Sequence, residues 1–437
     1  MQRKDVRLGV AMLAVGAVCP IAWLWMRDDM GSTPVAAPAV IAIAAAPAPA
    51  PAASVAVEPV QATGQASSET DEVQICGGAW VKAGADGQVD SKEAEAVSRG
   101  MLETTRAQTL AAMQASADER VRAAAHFYRY NLDRVFEACG EGTACTQRTE
   151  VQSHAADADR TALVRLAQSS TDPQIYAWAY RSCSDPAPGS ESPCQLVTSE
   201  QWARLDAANA APWLIIAAEA EKRGDASTLD DAMFHVASAE RQEQGWGALP
   251  AMLIEHAPPG ETYLMGALAL ATDGFGIDAA AGVPYQTATK YCNARNLVDA
   301  NRRETCEGVA TLLVERSNTL LERAIGIGMA RRLGWPQERI RSIEEERDAL
   351  YEAATREAPS TVELGSCNDA RRALDHFREI GAHGELGSAR SALAASGRPI
   401  PSLAADYRRS VAEQQQEAVR EQAAASAAST VAEASAH

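Results

Sequence analysis

Nine cysteines are the residues in this chain whose chemistry is easiest to name. In an oxidising compartment they close disulfides; in a reducing one, suitably spaced, they take zinc. Cys19 falls inside an apolar run. The other eight are Cys76, Cys139, Cys145, Cys183, Cys194, Cys292, Cys306 and Cys367, an even number that suits disulfides. No Cys-x-x-Cys occurs, and Cys139, Cys145 and His154 lack zinc spacing. Proximity along the chain pairs Cys139 with Cys145, Cys183 with Cys194 and Cys292 with Cys306. Cys76 and Cys367 then remain to join the two ends of a domain. Gly77-Gly78 and Gly365-Ser366 beside them let the chain bend to meet bond geometry. Loop entropy gives that long closure about 5 kcal/mol, against about 3 for the Cys292–Cys306 loop. The competing reading leaves some thiols buried and free.

Other chemistry is sparse. Asp86-Gly87-Gln88-Val89-Asp90-Ser91-Lys92-Glu93 matches the later half of an EF-hand loop. Lys82 and Gly84 stand where the first carboxylates belong, so a turn and helix cap is the preferred reading. There is no Gly-x-Ser-x-Gly elbow, no His-Glu-x-x-His and no P-loop. His126 sits in an Ala-rich helical stretch and reads as packing. His376 and His383 flank Gly381, which reads as a break. Glu344-Glu345-Glu346 reads as a solvated helix face. The sequence therefore implies no catalytic residue, cofactor or metal ligand.

The elements that would carry these residues begin with a hydrophobic run. Arg3, Lys4 and Arg7 precede nineteen uncharged residues from Leu8 to Met26, closed by Arg27-Asp28-Asp29. At about 1.5 Å per residue the run spans about 28 Å, close to a bilayer core. Trp23 and Trp25 near its far end suit an aromatic belt. The charge bias keeps 1–7 in the cytoplasm and exports the rest. An uncleaved anchor over 8–26 is the expectation; a cleaved signal and a lipoprotein are the rivals. An Ala/Pro-rich stalk follows over 27–70, then a domain over 71–405 and an Ala/Glu/Gln-rich tail over 406–437. Net charge is −18, which disfavours nucleic acid as a partner.

Abundant alanine and 5% aromatics favour helix, and no stretch demands a strand. Apolar spacing predicts helices from Val97 to Met113 and from Ala117 to Glu137. Asp172-Pro173 opens another, and Ala210 to Arg223 ends at Gly224. Shorter helices follow from Thr198 to Ala207, Leu229 to Ala239, Trp246 to His256 and Tyr263 to Thr272. Arg302 to Leu333 reads as one long pattern, and Pro336 to Ala354 as the next. Asn368 to Ile380 and Leu386 to Ala395 close the domain.

The stretch from Leu205 to Glu240 resembles a tetratricopeptide-type helical hairpin. Trp213 and Ala217 hold its large and small positions in the first helix; Leu229, Ala232 and Phe234 would line the second. Trp213 and Trp246 lie 33 residues apart, near the family period. The resemblance implies stacked antiparallel helical hairpins that bind a protein or peptide without a cofactor. The expectation is an all-α, disulfide-stapled domain behind one transmembrane helix, serving as a non-catalytic scaffold for another envelope protein. A cell-envelope enzyme with an unfamiliar helical site, and a structural or sensory element, are the alternatives.

Overall fold

The computed structural model describes residues 72–78, 80–82, 91–136, 150–183, 193–280, 282–357 and 366–435. The anchor run, the stalk, residues 83–90 of the calcium-like loop and the Cys139–Cys145 pair lie outside them.

Two short strands open the described chain, a departure from the strand-free expectation. β1 (Glu72–Gln74) pairs antiparallel with β2 (Trp80–Lys82), Val73 facing Val81. Three residues each are too few to show alternation in sequence. The turn between them carries Gly77 and Gly78, and Gly78 N donates to Ile75 O at 3.1 Å.

Apart from two isolated bridges, Asn209 with Arg241 and Gln242 with Ser317, the remaining regular structure among the described residues is helical. α1 (Ser91–Gln114), α2 (Glu119–Phe136), α3 (Glu150–Ser169) and α4 (Pro173–Ser182) lead into α5 (Ser199–Leu205). α6 (Ala210–Arg223) and α7 (Ala226–Ser238) form a tight hairpin. α8 (Ala248–Glu255), α9 (Glu261–Ala280) and α10 (Tyr285–Tyr291) precede α11 (Ala300–Glu315) and α12 (Leu320–Leu333). α13 (Gln337–Glu357), α14 (Cys367–Ser396) and α15 (Ile400–Ser435) complete the chain.

Many boundaries follow from caps. Asp172 accepts from Gln174 N with Pro173 at the first position of α4. Asn209 caps α6, and Gly224 ends it in the left-handed conformation at φ 72°. The pattern over Arg302 to Leu333 is two helices, not one. Thr319 and Glu322 form a reciprocal capping box that starts α12 afresh. The break in α14 falls at Gly384, at φ 70°, and not at Gly381. α9 runs well past Thr272, and α15 runs on past residue 405 with Leu403 and Ala404 buried against α13.

Two apolar centres are the largest among the described residues. The larger draws on every helix from α1 to α12 and on Ile340 of α13, and includes Phe127 stacked on Trp178 at 5.7 Å. The smaller joins α8, α9 and α14, with Phe275 and Phe377 at 4.7 Å and Trp246 against Phe275. Among the described residues, Glu261–Tyr291 is the stretch long and apolar enough to cross a membrane, with 53% of its window buried in the protein. Its first part, α9, contains Asp273, ion-paired to Arg106, and the buried Asp278, and packs within the smaller core.

Candidate functional site

α12 separates two polar regions. Glu322 faces an enclosed hub, and the next residue, Arg323, faces an open cleft.

The hub is built around the segment 239–247, which crosses the body between α7 and α8. Its backbone is held on both sides: Glu240 N donates to Ala208 O at 2.9 Å, and Gln242 N to Arg316 O at 3.1 Å. From it Gln242 Nε2 donates to the Tyr285 hydroxyl at 2.8 Å and to Glu322 Oε1 at 3.2 Å. Tyr285 donates to the same carboxylate oxygen. Gln244 donates to it too, at 3.3 Å, and accepts from Val283 N. The other oxygen of Glu322 accepts from Thr319 N at 3.2 Å. Nearby, Glu385 accepts from Leu320 N at 2.9 Å and Asp278 from Gly247 N at 3.1 Å.

Burial governs the protonation of this group. It raises Glu322 above the usual carboxylate range, against the pull of the Tyr285, Gln242 and Thr319 donors. It pushes Asp278 up to about 7, with Arg181 opposing, and Glu385 up to about 7, with Glu322 adding repulsion. Tyr285 is raised well above its ordinary value by burial and by Glu322. Carboxylates that hold protons near neutrality can act as general acids. Here Glu322 and Tyr285 are engaged with each other and with the crossing segment, the pattern of a network that fixes packing.

The cleft has a volume of about 670 Å³. Val314 and Glu315 come from α11, Arg323 from α12, Arg390 from α14, and Glu338, Arg339, Ser342, Ile343 and Glu346 from α13, with Pro336 before it. The Arg323 side chain is only 4% exposed and grips Glu346 through both terminal nitrogens, at 3.2 and 2.7 Å. Its buried Nε has no acceptor. Arg339 pairs with Glu315 at 2.9 Å and lies over the Trp335 ring at 3.7 Å. Glu346 is thus taken up in an ion pair, as is Glu344 with Arg331. This corrects the reading of the triple glutamate as a solvated face: α13 turns that side toward α12.

Three expected cysteine pairs stand at disulfide distance. Cys76 and Cys367 have Cα atoms 5.0 Å apart across 291 residues of sequence. Cys183–Cys194 and Cys292–Cys306 have Cα separations of 5.3 and 5.6 Å. Among the described residues no three His, Cys, Asp or Glu side chains are grouped to hold a metal. His126 Nδ1 lies 2.7 Å from Asp159, which also pairs with Arg129. Burial alone would raise Asp159, but these two partners hold it below its usual range. His376 and His383 both precede the Gly384 kink in α14, and burial lowers His376.

In the α6–α7 hairpin, Trp213 stacks on His235 at 3.9 Å, and Ala217 and Ala232 are buried. Phe234 is not a lining residue; it is 59% exposed. The inward stripe of α7 runs through Leu229, Ala232, Met233 and Val236, at helical spacing, and residue 234 falls off it. Trp246 lies in the turn before α8. Arg323, Arg390 and the hub residues carry no functional motif in the sequence. The one local signal was Thr319-x-x-Glu322, a capping-box pattern.

The chain matches no family model, no curated protein and no solved structure.

Proposed function

We propose that this chain is a non-catalytic scaffold of the cell envelope. The run 8–26 holds it in the cytoplasmic membrane as a single-pass anchor with the N-terminus inside. The stalk 27–70 lifts the helical domain off the outer face of that membrane. The domain presents stacked helical hairpins, irregular and tetratricopeptide-like, to another envelope protein or peptide.

The observation that carries this reading is the cleft between α11, α12, α13 and α14. Its walls are fixed by the Arg323–Glu346 and Arg339–Glu315 pairs, yet it is open and mixes apolar with charged lining. A concave site of a few hundred cubic ångströms with a few convergent polar groups is a normal ligand seat. The rival reading, an envelope enzyme, draws on the raised carboxylates of the hub. We favour the scaffold because the cleft, and not the hub, is the open region.

A photo-crosslinking residue in place of Ser342 tests it in native membranes. A discrete adduct supports the scaffold, and none should form from the exposed Phe234 position. Protease added to spheroplasts should remove the domain and spare the N-terminus. Protection of the whole domain would overturn the topology.

A further inference from the structure

Six charged side chains line the cleft, and four cancel in pairs. Arg323 is held by Glu346, and Arg339 by Glu315. The two that remain are Arg390 from α14 and Glu338 from α13. Both are exposed, and neither makes an ion pair or hydrogen bond with any described residue. They carry opposite signs on different helices and do not pair with each other. Val314 and Ile343 add apolar lining to the same cleft. One further donor is unmet. The Nε–H of Arg323 is buried with no acceptor, on a guanidinium whose terminal nitrogens are already fixed by Glu346.

These features describe a guest. It carries one carboxylate, one cation and an apolar group between them. A polyanion is disfavoured by Glu315, Glu338 and Glu346 and by the net charge of −18. A cleft of about 670 Å³ holds a few residues of extended peptide.

We propose that the cleft binds a short peptide segment in which an apolar residue is flanked by one acidic and one basic side chain. The acid seats on Arg390, the base on Glu338, and the apolar residue on Val314 and Ile343. This rests on the scaffold reading and names the chemistry its partner must offer. Charge-assisted hydrogen bonds to a guanidinium are the stronger kind, and they fix orientation as well as affinity.

The test uses the full-length protein in detergent and labelled, end-capped pentapeptides of alanine and leucine. In these the leucine is flanked by lysine and glutamate, in either order. Controls replace glutamate by glutamine or lysine by methionine. Fluorescence anisotropy should show one order of the Lys/Glu peptide binding about tenfold tighter than either control. Arg390→Glu should abolish that preference, and a peptide with lysine in place of its glutamate should regain affinity for the variant. Arg390 is exposed, so the thermal midpoint of the variant should stay near wild type. Equal binding of all peptides, or no saturable binding, would overturn the proposal. So would an Arg390→Glu variant that discriminates as the wild type does. If the Ser342 adduct forms in membranes and is unchanged by Arg390→Glu, the charge recognition fails and the scaffold reading stands. If the peptides discriminate but no adduct forms, the scaffold reading fails alone.

Discussion

The two apolar centres are built by different rules. In the larger, helices that follow one another in sequence also pack together: α2 with α3, α3 with α4, α6 with α7, α11 with α12. Their ends are marked locally by Asp172, Thr198, Asn209, Gly224 and Asp225. In the smaller, α9 packs on its neighbour α8 and also on α1 and α14, which come from opposite ends of the domain. Contacts in both centres depend on missing side chains: in the larger, a Cβ on Gly326 of α12 would lie 2.9 Å from Val314 N. A Cβ on Gly266 would lie 2.8 Å from Met101 O and 2.7 Å from Thr105 Cβ, so α9 and α1 meet backbone to backbone. The long Cys76–Cys367 link ties the same layer. The contrast teaches that local stops fix where helices end, whereas long-range fits fix which faces meet.

The largest effect expected from breaking this contrast is on the long link. Cys76→Ala with Cys367→Ala should cost up to about 5 kcal/mol, against about 3 for Cys292→Ala with Cys306→Ala. Denaturant unfolding of the two double variants reads the ranking, and equal losses would remove the asymmetry. Next comes Gly266→Val, which forces α9 off α1 and should cost about 3 kcal/mol by overpacking. Gly224→Ala, with open space around it and only a left-handed φ to strain, should cost about 1 kcal/mol. Similar losses at both glycines would erase the distinction between a fit and a stop.

The hub joins the two centres, and pH sharpens its role. Asp278 is held at about 7 by burial, above its unfolded value near the ordinary aspartate range. Between about pH 4 and 7 the folded state therefore binds a proton that the unfolded state has lost. Stability falls as pH rises through that window and levels off above it. Asp278→Asn should make the fall shallower by at most about 1.4 kcal/mol per pH unit, as read from melts across the window. An unchanged slope would mean that Asp278 ionises freely. Thr319→Ala, the loss of one helix cap, should likewise cost about 1 kcal/mol, read from the same melts.

These differences explain what could be read from the residues alone. Asp172-Pro173 and Gly224 state their own geometry, because a cap acts within a few residues. Thr319-x-x-Glu322 did the same, but Leu320 and Leu321 continue the apolar pattern across it and hid the break. The cleft was not legible. Arg323 and Glu346 lie 23 residues apart, and Arg390 comes from another helix. Glu344-Glu345-Glu346 looks the same in sequence whether it faces water or an arginine. The disulfide pairs needed only counting and proximity, plus the assumption that the two leftover cysteines meet.

Cys76 and Cys367 close the described body end to end. Peptide mapping of unreduced full-length protein taken from membranes tests it most directly. The account expects one cross-linked fragment containing Cys76 and Cys367. Free thiols at both positions, or either cysteine joined to a different partner, would contradict it.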